Sequence, residues 1–376
     1  MKSVSKNFIL YITSLFFCHS SLAHSWGGKN FTKNNVRGLY LNAFSTKGKR
    51  FNDVIQIIKS TNLNSVVVDV KDVRGFLIFH SKTAKKVIPS AIKKAPYEDL
   101  RELVNKIKRH NIYTIARIAV FKDNYYTQLY PWSSVKNKYN TPYLEKNKLK
   151  WVDPHYKKYW DYIIDLAREC YDAGFNEVQF DYIRFPGTSN TLIFPFKPKG
   201  KTLQRSYVIT NFIRYAKEKL SDLNKPISID VFGLVGNLHK NDLSIGQLWE
   251  KLSPYVDAIS PMMYPSHYPK GFAGIKNPDL NPYLTIKKSI SRSIKTNNRS
   301  SHPTGVRPWI QAFTAKWLPR HLPYGKVALT QQIKALKDAG VNSYLLWHPG
   351  SKFKKFYPEV FQNNGYGQNK KTNQKQ

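Results

Sequence analysis

Cysteine is nearly absent from this chain. It occurs twice in 376 residues, as Cys18 and Cys170. Two cysteines exclude a disulfide scaffold and any metal site built from thiolates. Acidic side chains are scarce as well: 24 Asp and Glu stand against 60 Lys and Arg, a formal charge of +36. No apolar run after residue 23 is long enough to read as a membrane span. The G-x-S-x-G elbow, the P-loop and the H-E-x-x-H zinc helix are all missing. No spacing of Asp, His or Cys supports a metal site, and no cofactor is expected.

What is present begins with a leader. Residues 1–23 read as a secretory signal peptide: Lys2 and Lys6, a short apolar core over 8–17, then Ser21-Leu22-Ala23 as a small-x-small cleavage site. Its removal would take Cys18 with it and place the chain in the periplasm or outside the cell. Residues 24–35 follow as a linker, 36–362 as one domain, and 363–376 as a polar, basic, disordered tail. The leader holds two of the basic residues and the tail three, so the positive charge is spread over the body. It reads either as solvated surface lysine or as attraction to anionic envelope polymers and phospholipid surfaces. Nucleic acid is not an expected partner, because no known binding-module motif appears.

The body alternates strand and helix. Eight short apolar runs, at 36–44, 65–71, 113–121, 177–185, 227–232, 258–264, 308–313 and 343–348, suit parallel strands buried on both faces. Helical periodicity falls between them, most clearly over 154–172, with Asp153 as N-cap and Gly174 just past the end. This pattern favours a single (β/α)8 barrel over a doubly wound sheet. The long connections 121–152, 186–201 and 264–282 each follow a strand. In a barrel they would lie over the C-terminal face, where active sites form.

Several of these strands carry charge, which strands tolerate poorly. In Glu177-Val-Gln-Phe-Asp-Tyr-Ile-Arg-Phe-Pro186, alternation puts Gln179 and Asp181 on one side and the apolar residues on the other. The same parity turns Asp230 inward on the fifth strand, Asp69 on the second and Arg117 on the third. Asp181 and Asp230, on adjacent strands, are then expected within roughly 5–10 Å, the span of carboxylate pairs in glycoside hydrolysis. The bland alternative is a set of structural ion pairs: Asp181 with Arg184, and Asp69 with Lys71 or Arg117. Tyr264 and His267 end the sixth strand, Trp309 and Gln311 lie on the seventh, and Trp347 on the eighth. Indole and phenol rings there offer faces on which sugar C–H groups pack.

The segments Trp151-Val-Asp-Pro154, Gly174 to Pro186, Asp230-Val-Phe-Gly233 and Ile259-Ser-Pro-Met-Met-Tyr-Pro-Ser-His267 together resemble a bacterial family of presumed glycoside hydrolases of TIM-barrel type, long carried as a domain of unknown function. The resemblance runs in order over 36–349. It implies the barrel and hydrolysis of a carbohydrate. The chain departs from the pattern at Asp72-Val-Arg-Gly75 and at Trp347-His348. The expectation is an exported glycoside hydrolase acting on a polysaccharide, with Asp181 and Asp230 catalytic and Asp69, Arg117, Arg184, Tyr264, His267, Trp309, Gln311 and Trp347 binding substrate. The alternative is a non-catalytic glycan-binding envelope protein on the same scaffold.

Overall fold

The computed structural model describes residues 35–354, apart from 146, 188–190 and 201–202, together with residue 360. The expected leader, nearly all of the linker and the basic tail lie outside the described residues.

The strands are β1 (Arg37–Leu41), β2 (Ser65–Lys71), β3 (Tyr113–Ala119), β4 (Glu177–Asp181), β5 (Ile227–Phe232), β6 (Ala258–Met263), β7 (Gly305–Val306), β8 (Trp309–Gln311) and β9 (Tyr344–Trp347). All pairings between them are parallel. β7 and β8 are two halves of one stave, since both pair with β6. The break between them contains Pro308, which has no N–H to give a ladder. β9 pairs with β1, and β5 with β6, so the ring closes on eight staves. The fold is a single-domain (β/α)8 barrel.

Helices α1 (Gly48–Lys59), α2 (Lys82–Val87), α3 (Leu100–Lys108), α4 (Asn124–Leu129), α5 (Lys157–Asp172), α6 (Arg205–Lys219), α7 (Trp249–Leu252), α8 (Pro282–Asn298) and α9 (Lys326–Asp338) fill the connections. The helix expected from residue 154 starts three residues later. Tyr156 is its N-cap, without a side-chain cap bond. Asp153 is used elsewhere: it accepts from the amides of His155 (3.0 Å) and Phe196 (2.8 Å). It thereby ties the long loop after β3 to the long loop after β4. Gly174 follows the C-cap at φ +100°, the left-handed position that favours glycine.

Two local departures decide what reaches the barrel axis. β4 stops at Asp181, not near 185 as its apolar run implies, because Tyr182 takes φ +54°. A non-glycine residue in that region marks a position held by its surroundings. In β2 the register slips between Asp69 and Lys71: Asp69 pairs Arg117, whereas Lys71 pairs Ile118. One extra residue in a strand reverses the side on which later residues emerge. The expected sharing of one side by Asp69 and Lys71 is therefore not realised. The Lys71 amine bonds Asp123 at 2.9 Å and the Ala119 carbonyl at 2.7 Å.

The interior is polar in layers. Near the N-terminal ends, Glu177 accepts from Arg307, Ser228 and Tyr113, all in or near the barrel wall. One step along, Gln179 donates to Ser260 at 3.2 Å. The last layer, at the C-terminal ends, is the most heavily charged.

Candidate active site

Arg117 is the centre of that last layer. Its Nη1 pairs with Asp69, its Nη2 with Asp181, and its Nε lies 3.6 Å from Oδ2 of Asp230. Strand parity brings these four side chains together, as three adjacent pairings place β2, β3, β4 and β5 side by side. Nε and Nη2 form one edge of the planar guanidinium. Asp181 and Asp230 therefore share an edge, while Asp69 occupies the other side of the fork.

Each carboxyl has different company. Asp69 Oδ2 also accepts from the Tyr40 hydroxyl at 2.9 Å. Asp181 Oδ1 accepts from the amide of Tyr182 at 2.5 Å, a bond that the unusual Tyr182 backbone makes possible. Asp230 Oδ1 accepts from the indole N–H of Trp309 at 2.7 Å, and its Oδ2 has no hydrogen bond among the described residues. Burial is nearly complete, with 4% of Asp181 and 1% of Asp230 exposed.

One guanidinium cannot neutralise three carboxylates, and low exposure penalises each charge. Burial, then the neighbouring Asp181 carboxylate, raises Asp230 well above the ordinary carboxyl range, against the opposing pull of Arg117 and Trp309. Burial also raises Asp69, with Arg117 opposing it. For Arg117, burial works against the charge, but Asp69 and Asp181 outweigh it and hold the guanidinium firmly protonated. The arrangement thus contains one carboxyl biased toward its neutral, proton-donating form beside one gripped by charge-assisted bonds.

A family model described as "Putative glycosyl hydrolase domain" matches residues 38–353. The chain belongs to this glycosyl hydrolase family. No curated protein matches it in sequence. Among solved structures, the glycoside hydrolase domain of PgaB (BpsB) from Bordetella bronchiseptica superimposes with a TM-score of 0.59 at 12% identity, covering 88% of this chain and 99% of that one. Alpha-L-fucosidase isoenzyme 2 from Paenibacillus thiaminolyticus gives 0.56 at 14% identity, over 87% of this chain and 49% of that one. A hypothetical protein from Ruminiclostridium thermocellum is 29% identical over 51% of this chain and 97% of its own, with a TM-score of 0.44. The PgaB domain and the fucosidase share the barrel fold.

In this glycosyl hydrolase the expected aromatic residues line one side of the carboxyl cluster. Tyr264 stacks on Trp347 with ring centres 5.5 Å apart, and Tyr40 bridges from Trp347 (6.1 Å) to Trp309 (6.2 Å). Phe313 meets Trp347 edge-on at 5.2 Å and stacks on Trp317 at 5.9 Å. Burial, then Asp230, raises the Tyr264 hydroxyl well above its usual value. His267 stands at the rim, edge-on to Tyr264 and Trp317, with Nδ1 2.9 Å from the Ser266 hydroxyl. Desolvation among these rings lowers its pKa.

Two expected residues sit differently. Arg184 forms no ion pair with Asp181 among the described residues. Its guanidinium lies over the rings of Trp151 (4.6 Å) and Phe232 (4.8 Å) and donates to the Phe185 carbonyl at 3.0 Å. Residues three apart on a strand face opposite sides, and the turn at Tyr182 after β4 does not bring Arg184 into an ion pair with Asp181. Gln311 is fully buried and its amide is fully engaged: Oε1 accepts from Ser266, and Nε2 donates to Phe313. It fastens the loop after β6 to the loop after β8 and has no free atom for a sugar.

Sequence reasoning missed Tyr40, Phe313 and Trp317. Tyr40 carries a legible signal, since alternation in Arg37–Leu41 sends it to one side with Gly38. Nothing in the sequence places Trp317 beside Phe313. Among the described residues no group of three or more His, Cys, Asp or Glu is arranged to hold a metal ion. Arg117 already fills the space that the three aspartates surround.

Proposed function

We propose that this domain is an exported glycoside hydrolase that cleaves a polysaccharide of the cell envelope or its surroundings, with Asp230 as general acid and Asp181 as its partner carboxylate. One observation carries the reading: Asp181 and Asp230 share one edge of Arg117, yet of the two only Asp230 keeps an oxygen without a hydrogen bond among the described residues. Glycosidic cleavage needs that division of labour, a proton for the leaving oxygen and a carboxylate to attack carbon or activate water. Two carboxyls on one guanidinium edge are closely spaced, which favours direct attack by Asp181 over activation of an intervening water. Asp69 and Tyr40 hold Arg117 in place. Tyr264 and Trp347 offer the stacked wall for the sugar ring, and Trp309 orients the acid.

Both carboxyls are almost covered. The test is Asp181→Asn and Asp230→Asn in the full chain, assayed for reducing-end release from a panel of polysaccharides. The expected loss is on the order of 10²–10⁴-fold for each. Turnover at the unmodified rate by either folded variant would overturn the assignment. The near-complete burial of the pair favours one second reading, a non-catalytic glycan-binding protein. Co-sedimentation with a polysaccharide, without reducing-end release from it, selects that reading.

A further inference from the structure

Large exposed aromatic side chains are unevenly placed. Among the described residues, Phe44, Trp132, Tyr139, Phe232 and Trp317 lie at strand ends or in connections that follow a strand, and only Tyr207 stands on a long helix, α6. Those connections share the face of the barrel that carries Asp181 and Asp230. Phe44 is the most distinctive, because it is 66% exposed and borders a built cleft.

The cleft has a volume of about 390 Å³ and lies over the loops after β1 and β2. That is within the range of small-ligand sites. Phe44 stacks on Phe76 at 5.3 Å, nearly parallel, and the Arg74 guanidinium lies 4.9 Å from the Phe44 ring centre. Lys47 and Lys94 also line it. The charge is one-sided. Asp72 is bound to Arg74 and to the amides of Arg74 and Phe76. Lys47 is held by the Pro96 carbonyl and the Tyr97 ring, not by a carboxylate. Lys94 has no ion-pair partner among the described residues.

We infer that this cleft binds an acidic sugar unit, one bearing a carboxylate, several units along the same polysaccharide chain whose bond is cleaved at the Asp181–Asp230 pair. The ring packs on the Phe44–Phe76 platform, and Lys94 with Arg74 meets the carboxylate. The inference rests on the glycoside hydrolase reading for its direction along the chain, but the cleft binds whether or not the pair turns over. A nucleic acid could use the same ring and cations. Membership of a glycosyl hydrolase family favours the sugar.

The experiment uses the full-length Asp230→Asn protein, so that no turnover intervenes. It measures calorimetric affinity for hexagalacturonate, neutral maltohexaose and an oligodeoxythymidylate. Hexagalacturonate binds most tightly. Lys94→Glu weakens it about fivefold and Phe44→Ala about tenfold, with the melting temperature unchanged because both side chains are exposed. Affinity for hexagalacturonate unaltered in both variants, equal affinity for maltohexaose, or preferred binding of the oligodeoxythymidylate would each overturn the inference. The catalytic assignment fails separately: Asp181→Asn that retains turnover sinks it while leaving the cleft intact.

Discussion

The indole N–H of Trp309 holds one oxygen of Asp230 at 2.7 Å and leaves the other without a bond. That bond favours the ionised carboxyl, opposing the burial that raises its pKa. Replacing Trp309 by Phe keeps a ring in the wall but removes the donor. The Asp230 pKa then rises further. A general acid must be protonated, so activity is lost as pH climbs through its pKa. Trp309→Phe should move the alkaline limb of the pH profile of kcat/KM to higher pH. A limb that stays in place, or moves down, contradicts the role of Asp230 as acid.

The same raised pKa has a consequence for stability. Unfolded carboxyls titrate near 3.9, and the folded Asp230 titrates well above that. Between those values the native state binds the extra proton. Stability contributed by this group is therefore greatest at low pH and falls as pH rises through the folded pKa. Asp230→Asn should be inactive yet raise the melting temperature at neutral pH by a few degrees, with the gain vanishing near pH 4. Calorimetric scans across that window check the prediction.

Gly75 sits at φ +89°, where a β-carbon would fall 2.0 Å from Oδ1 of Asp123. Asp123 bonds Lys71 and the Tyr159 hydroxyl and caps α4, so this collision cannot be relieved locally. Gly75→Ala should destabilise by about 2 kcal/mol or more through both strain and the displaced carboxylate. Urea unfolding measures it. A loss below about 0.5 kcal/mol would mean that the loop moves freely.

At the opposite end of the barrel, Glu177 and Arg307 form a pair buried from solvent, joined by Tyr113 and Ser228. Removing one partner leaves an uncompensated charge. Arg307→Met should cost about 3–5 kcal/mol, while Arg307→Met combined with Glu177→Leu should recover most of it. A double variant as unstable as the single one would show that the hydroxyls around Glu177, not the ion pair, set the cost.

The barrel was legible because parallel strands buried on both faces leave continuous apolar runs, and eight of them were countable. The inward carboxyls were legible because strand alternation is a strict period of two. What escaped the sequence was local irregularity. The extra residue in β2 and the left-handed Tyr182 just after β4 leave no periodic trace. The slip turns Lys71 away from Asp69, the partner it had in the structural ion-pair alternative, and Arg184 lies over Trp151 instead of pairing with Asp181. The full engagement of Gln311 depends on contacts with residues far away in sequence, such as Ser266 and Gln332.

The slip in β2 also separates two roles. Without it, Asp69 and Lys71 would stand side by side and cancel. With it, one strand serves two independent tasks: Asp69 braces the guanidinium inside, and Lys71 anchors the Gly75–Asp123 clamp outside. The connection after β2 can then change without displacing Asp69 from the guanidinium.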